Sequence, residues 1–311
     1  MTSKGRIIQS TGSWYDVLLE SGEIWKCRLK GNFRIKNLNT TNPLAVGDLV
    51  EIAPDATPLT GIIEKLETRN NYIIRKSPRH KRKNHIIASN LDQIVLVVCV
   101  SQPRTSLGFI DRFLLSAELY HIPPIIVINK SDLYGEKDLA KAAEWKSTYE
   151  AIGYKTILVS ALKEDLANLE ALLTGKISML AGHSGAGKST ILNRLYPQLD
   201  IKTNVISKTH QKGMHTTTFA TMHPLAEKTF LVDTPGIKEF DFPDLKVEEV
   251  AHYFPEFREL LSECKFGDCL HQKEPKCGIK EAVAAGKIAE SRFVSYTNIL
   301  ADTQAKNYWE R

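Results

Sequence analysis

Gly182-His183-Ser184-Gly185-Ala186-Gly187-Lys188-Ser189 satisfies the pattern G-x-x-x-x-G-K-[ST]. Each fixed element has a chemical reason. Glycines let successive backbone N–H groups converge on a β-phosphate, and the N-terminus of a following helix adds positive potential. Lys188 neutralises the β- and γ-phosphates, a catalytic as well as a binding role, and the Ser189 hydroxyl ligates Mg²⁺. Thr190, next in the chain, joins the nucleotide-binding set. Nucleotide choice is set elsewhere, by Asn129-Lys130-Ser131-Asp132 after the apolar run Ile125–Ile128. A carboxylate there accepts from both N1–H and the exocyclic amine of guanine. Adenine lacks that donor pair, so Asp132 selects guanine and argues against an adenylate-using enzyme. Asn129 braces the loop and the stem of Lys130 lies over the base. Ser160-Ala161, after Thr156–Val159, supplies a backbone N–H to guanine O6.

Two further segments complete the set. Asp233-Thr234-Pro235-Gly236 follows the strand-like Thr229–Val232. An aspartate at a strand end reaches Mg²⁺ through water, and the N–H of Gly236 meets a γ-phosphate. In Gly213-Met214-His215-Thr216-Thr217-Thr218 a threonine closes over Mg²⁺, and Thr217 is the best placed. The residue after Asp233–Gly236 is Ile237, where Ras-type enzymes carry the glutamine that orients water. Isoleucine cannot hydrogen-bond water, so turnover alone should be slow and a partner should accelerate it. His215 is the nearest replacement.

Near the C-terminus the spacing Cys264-x₄-Cys269-x-His271-x₅-Cys277 offers three thiolates and an imidazole. That set closes a tetrahedron with no open position, the pattern of a structural zinc site, and one zinc per chain is expected. Asp268 and Glu274 lie close by, but zinc prefers sulfur. Cys27 and Cys99 stand alone in strand-like segments and read as small buried hydrophobes.

These residues need elements to hold them. Five short strand candidates, Arg6–Ile8, Tyr15–Leu19, Ile24–Leu29, Asp48–Ile52 and Gly61–Glu64, suit a small barrel of the oligonucleotide-binding type, and an SH3-like barrel fits nearly as well. From about Leu91 strands alternate with amphipathic helices (Phe109–His121, Asp138–Ile152, Leu166–Leu173), which implies a parallel sheet with helices on both faces. After Pro243 the pattern turns helical over Val247–Leu261 and again over Ile279–Tyr308. The expected fold is therefore multidomain, with a β-barrel over 1–72, an α/β P-loop domain over 73–242 and a helical zinc-binding domain over 243–311. The 311 residues are 42% hydrophobic and 25% charged, which excludes disordered and fibrous classes. The longest apolar run, Ile94–Val100, falls far short of the ~20 residues of a membrane span. No secretory leader is evident, so a cytoplasmic location is expected; the chain is also expected to be a monomer. Net charge is +5, a mild lean towards polyanions. Arg75, Lys76, Arg79, Lys81, Arg82 and Lys83 form a basic stretch that reads either as a solvated linker or as a phosphate-binding arm. Trp14, Tyr15, Trp25 and Phe33 are candidate base-stacking residues, and equally candidates for the barrel core.

The motif order carries further information. Ordinary small GTPases run P-loop, switch threonine, D-x-x-G, N-K-x-D, S-A. This chain runs N-K-S-D, S-A, P-loop, H-T-T-T, D-T-P-G, a circular permutation that a compact domain tolerates at surface loops. With a β-rich N-terminal part and a Cys/His-bearing C-terminal part, the whole chain resembles the ribosome small-subunit-dependent GTPase A (RsgA/YjeQ) family. The resemblance implies hydrolysis of GTP with Mg²⁺ in late maturation of the small (30S) ribosomal subunit, binding of its rRNA near the decoding region, and stimulation by that subunit. It also implies a catalytic histidine at His215 and zinc on the four Cys/His residues. The competing reading is an RNA-binding assembly protein that uses GTP as a switch, hydrolysis being incidental. Permutation has a mechanical consequence of its own: the chain leaves the nucleotide domain directly after Asp233–Gly236. The C-terminal module is tethered to that segment and should be positioned by nucleotide state.

Overall fold

The computed structural model describes residues 2–30, 42–76, 84–199, 220–233 and 245–309. Strands β1 (Ser3–Ser10), β2 (Tyr15–Leu19), β3 (Ile24–Leu29), β4 (Leu49–Pro54) and β5 (Thr60–Leu66) carry the alternation that turns one face inward. Ile7, Tyr15, Val17, Cys27, Val50, Ile52 and Ile63 fill the interior. β1 pairs with β2, β2 with β3, β3 in parallel with β5, β5 with β4, and β4 back with β1, which closes the barrel in the oligonucleotide-binding arrangement. Tyr15 thus belongs to the core, Trp25 packs against it, and Trp14 is exposed. Phe33 lies outside the described residues.

The start of the basic stretch is not a linker. β6 (Tyr72–Lys76) and β7 (Asn84–Ser89) pair as an antiparallel ribbon with Arg75 opposite His85 and Lys76 opposite Asn84; Arg79, Lys81, Arg82 and Lys83 lie outside the described residues. A buried ion pair fastens this ribbon to the barrel. Asp48 takes Arg69 Nε and Nη2, each at 2.6 Å, the Ser89 hydroxyl at 2.6 Å and the Ala45 N–H at 2.8 Å.

The nucleotide domain follows as β8 (Gln93–Val98), α1 (Leu107–Leu119), β9 (Pro124–Ile128), α2 (Glu136–Ala151), β10 (Lys155–Leu158), α3 (Ala167–Leu173), β11 (Ile177–Ala181), α4 (Lys188–Leu195), β12 (Thr221–Ala226) and β13 (Thr229–Asp233). The strand order is β10-β9-β8-β11-β13-β12, parallel through β13 and antiparallel at β12. Alternate residues of β8 feed two cores: Leu96 and Val98 pack with Ile110, Leu114 and Trp145, while Val95 and Val97 pack with Leu169, Ile191 and Leu192 on the other face. β12 also meets β1, at Gln9 opposite Thr221, so the barrel and the nucleotide sheet share one continuous ladder of eleven strands.

The C-terminal part departs from two long helices. Val247–Leu261 is broken into a 3-10 turn (Val247–Tyr253), the four-residue α5 (Pro255–Arg258) and a second 3-10 turn (Leu261–Glu263), because Pro255 cannot continue a preceding helix. Ile279–Tyr308 divides into α6 (Gly278–Ala284) and α7 (Glu290–Trp309). Gly286, at φ +71°, donates to Val283 O and lets Lys287 donate to Ala282 O, which terminates α6. Leu115 of α1 packs into the same core as Phe254, Phe257, Tyr296, Ile299 and Leu300. The Arg292 guanidinium, buried and 4.5 Å above the Phe254 ring, holds Asp111 of α1 (Nη1 to Oδ1, 2.7 Å) and Glu256 (Nε to Oε1, 2.6 Å). Tyr149 of α2 donates to the same Asp111 oxygen at 2.8 Å. The C-terminal part is thus fixed to α1, an attachment beyond the tether after Asp233–Gly236. Among the described residues no helix is long and apolar enough to cross a membrane.

Candidate functional site

Five parallel strands bring their C-terminal ends to one edge of the sheet, where α/β folds bind ligands. β11, buried throughout, delivers the glycine-rich loop between β8 and β13. Two glycines there are irreplaceable for steric reasons. A Cβ on Gly182 (φ +135°) would sit 2.2 Å from Val97 O, and one on Gly187 (φ +100°) 2.2 Å from Asn129 Nδ2. Gly187 is the cap from which α4 starts, so Lys188, Ser189 and Thr190 occupy its first turn, with the helix dipole behind them. Lys188 Nζ donates to Gly182 O at 2.7 Å and His183 O at 2.9 Å, folding the ammonium over the loop. Burial lowers the Lys188 pKa, while Asp233 and Cys99 pull it back up. Ser184 and Gly185 are exposed, and Ala186 is buried under the loop.

Asn129, at the end of β9, is the joint of the site. Its Nδ2 donates to Ala186 O at 2.9 Å and its Oδ1 accepts from Ala161 N at 3.0 Å, so one amide ties together all three loops. Asp132 Oδ1 accepts from Ser160 Oγ at 2.7 Å. Lys130, in the left-handed region at φ +69°, sends Nζ 2.6 Å to Gln102 O. The backbone N–H groups of Ser160 and Ala161 are both engaged, the first with Glu164 Oε2 at 2.9 Å and the second with Asn129. A guanine O6 meeting one of them must therefore take it from its present partner. Asp233 ends β13, at the same sheet edge as the loop. His215, Thr217 and Gly236 lie outside the described residues, as do Lys202, Lys208, His210 and Lys212, the cations that the sequence sets beside the threonine segment as further candidates for contact with RNA.

Several residues of this edge have no motif to announce them. Tyr134 donates to Asn129 O and accepts from Val100 N, and burial raises its pKa, so it stays a neutral phenol. Burial likewise pushes the Cys99 thiol up to about 11; its Sγ points at Ala186 O, 3.5 Å away. The Phe109 ring, in the first turn of α1, lies against His183 with centroids 3.9 Å apart and the planes tilted by 31°. Glu164 and Arg194 cross-link the loops, Arg194 donating to Ala161 O at 3.0 Å and Leu162 O at 2.8 Å. The available signals are slight: Glu164 falls four residues after Ser160, and Arg194 is the lone cation in the last turn of α4.

At the opposite end of the chain Cys264, Cys269, His271 and Cys277 bring one ligand atom each to within 4.8 Å of one another. Cys264 Sγ lies 3.9 Å from Cys277 Sγ and 3.5 Å from His271 Nδ1, and His271 Nδ1 lies 3.3 Å from Cys277 Sγ. A tetrahedron with Zn–S of about 2.3 Å and Zn–N of about 2.1 Å has edges of about 3.6–3.8 Å, so the set fits zinc. Burial and neighbouring sulfurs raise the Cys269 thiol to about 12, a crowding that a cation at the centre would reverse. Burial also lowers the His271 pKa, which keeps the imidazole in its ligating neutral form. Glu274 is used elsewhere. Burial would raise its pKa, but backbone N–H groups outweigh burial and lower it; Leu270 N donates at 3.0 Å and Gln272 N at 2.8 Å.

The comparisons agree with this geometry. The family profile described as RsgA GTPase matches residues 66–243, and that of the RsgA N-terminal domain matches residues 4–63. A protein of Azobacteroides pseudotrichonymphae named small ribosomal subunit biogenesis GTPase RsgA is 47% identical over 309 residues, covering 99% of each chain. One of the same name from Bacteroides fragilis is 45% identical over 98% of each. Among solved structures, YjeQ from Thermotoga maritima superposes with a TM-score of 0.81 at 36% identity, over 98% of this chain and 99% of its own. YloQ, described as a circularly permuted GTPase, superposes with a TM-score of 0.76 at 30% identity, over 98% of this chain and 96% of its own. Permuted motif order, closed barrel, Cys/His cluster and full-length similarity lead to one assignment: the chain belongs to the RsgA family of circularly permuted GTPases.

Proposed function

We propose that this chain hydrolyses GTP to GDP and phosphate with Mg²⁺ during late maturation of the small ribosomal subunit, slowly alone and faster on that subunit. The observation that carries the reading is the Asn129 amide, which joins the guanine-selecting loop to the glycine-rich loop through Ala186. Base and phosphates are thereby gripped by one rigid frame. In this reading Asp132 selects guanine, Lys188 and the α4 N-terminus hold the β- and γ-phosphates, and Ser189 with Thr217 ligates Mg²⁺, which neutralises charge on the transferring phosphoryl group. Asp233 reaches the metal through water, Gly236 meets the γ-phosphate, and His215 orients the attacking water. Cys264, Cys269, His271 and Cys277 hold zinc as a structural ion. The relatives' names, with the barrel and the basic residues of β6, support the ribosomal small subunit and its rRNA as partner. That setting makes the protein cytoplasmic, and we take it to act as a monomer, divided at about residues 72 and 242.

Two measurements test this. Single-turnover hydrolysis of GTP should rise by at least tenfold when small subunits are added, and large subunits should leave it flat. An unchanged rate would favour the switch reading, in which hydrolysis is incidental. By calorimetry, Asp132→Asn should weaken GDP about a hundredfold, because the amide sets an N–H against a guanine donor and leaves it unpaired. GDP affinity that survives the substitution would remove Asp132 from base selection.

A further inference from the structure

We propose that Arg194 and Glu164 are positioning residues for the guanine base, setting the turn over residues 160–164 at the height where Asp132 can read it. The inference rests on the guanine-nucleotide reading above. α4 starts at the phosphate-binding end with Lys188, and its last turn presents Arg194 to the other end of the site. Nη1 donates to Ala161 O at 3.0 Å and to Leu162 O at 2.8 Å, and Nη2 to Glu164 O at 3.2 Å. Three carbonyl dipoles converge on this one point, and a cation with several donors in a fixed fork relieves their mutual repulsion most fully.

Glu164 completes the connection from the other side. Its Oε1 accepts from Ser131 Oγ and its Oε2 from Ser160 N, both at 2.9 Å, while its own N–H donates to Ser160 O at 3.0 Å. Ser160 Oγ then donates to Asp132 at 2.7 Å and accepts from Lys163 N at 3.1 Å. An unbroken series of hydrogen bonds thus runs from the phosphate-binding helix, through the turn, to the carboxylate that selects guanine. Arg194 and Glu164 are both exposed, and Leu162 is 67% exposed. Little apolar surface is covered by the network, so its loss costs the fold little and is felt at the turn. Asn129 fixes the loops from below through buried bonds; Arg194 fixes them from the solvent side.

The test uses the full-length protein and calorimetry with GDP and IDP, whose hypoxanthine lacks the exocyclic amine that meets Asp132. Arg194→Ala should weaken GDP about tenfold and IDP less than about threefold, so the GDP-to-IDP preference narrows several-fold. Arg194→Lys should regain part of the preference, since one ammonium reaches one or two of the three carbonyls. Glu164→Gln should narrow it too, by less. Thermal melting of each variant should stay within a few degrees of the parent. Equal weakening of GDP and IDP, or no weakening, in Arg194→Ala would overturn the assignment, as would a large fall in melting temperature. Should Arg194→Ala not fold, the ratio in Arg194→Lys and Glu164→Gln decides. A parent protein with no preference for GDP over ADP would sink the guanine reading itself; a preserved preference with unmoved ratios in the variants would sink only this inference.

Discussion

Chelating metal from the Cys264–Cys277 cluster should unfold the C-terminal part and, in the same experiment, lower the melting temperature of the nucleotide domain. Structural zinc supplies an apparent ~10–16 kcal/mol in small zinc-binding units, more than so short a segment can replace by burial. His271 packs beside both the Phe257 and the Tyr296 rings, at centroid distances of 6.2 and 5.9 Å, so losing the ligand set opens one side of the aromatic cluster. That cluster continues into α1 through Leu115. Unfolding α7 would therefore expose one face of a helix on which the nucleotide domain depends. Differential scanning calorimetry with a spectroscopic zinc assay should show both changes at one zinc per chain, the nucleotide transition falling by several degrees. GDP binding should persist, because β9, β11 and their loops build on the rest of the sheet. A nucleotide-domain transition that ignores chelation would show that α1 stands without α7.

Arg292→Leu should destabilise the protein by about 3–5 kcal/mol in urea denaturation, the cost of leaving buried carboxylates without their cation. The side chains of Arg292, Asp111 and Glu256 are 2%, 1% and 7% exposed, so water cannot take the place of the guanidinium. Burial raises the Asp111 pKa and the facing guanidinium opposes that rise; without Arg292 the carboxyl would have to take up a proton or expel α7. The double variant Asp111→Leu, Arg292→Leu should recover part of the loss, since replacing both charges by apolar groups removes the uncompensated one. No recovery in the double variant would place the cost in packing against Phe254 instead of in charge.

The barrel strands are legible in the sequence because alternation at period two is local, and each lies within a few residues of its expected place. The ribbon of β6 and β7 is not, because its cations mask a pair of apolar dipeptides, Ile73-Ile74 and Ile86-Ile87, that pack on two sides of it. β12 escapes as well: six residues long with Pro224 inside, it pairs with β1 at Thr221, and the proline falls where the ladder to β13 is bulged. The helical periodicity near the C-terminus runs on through Pro255 and Gly286, where the chain itself breaks.

In the site, the motifs are legible because each sets fixed residue types at short spacing, and the Asn129 amide bonds Ala186 and Ala161 across the loops they form. Arg194, Glu164, Tyr134 and Phe109 belong to a different class. Arg194, Glu164 and Phe109 act across separations of about thirty to seventy residues, and Tyr134 closes on Asn129 and Val100 together. Their roles exist only once the sheet order is known. The permutation hides them further, since the P-loop lies after the guanine loops in the chain yet between β13 and β8 in space.

The contact of Gln9 with Thr221 joins two sheets at a single residue pair, and Thr221 follows the threonine trio Thr216–Thr218 after two intervening residues. A load applied to the barrel at β1 therefore reaches β12 at its first residue, three positions after Thr218 in the chain. A partner surface gripping that barrel need not touch the sheet edge to restrain β12: resistance at β1 travels along one backbone ladder, as a hand on a door's edge steadies its hinge.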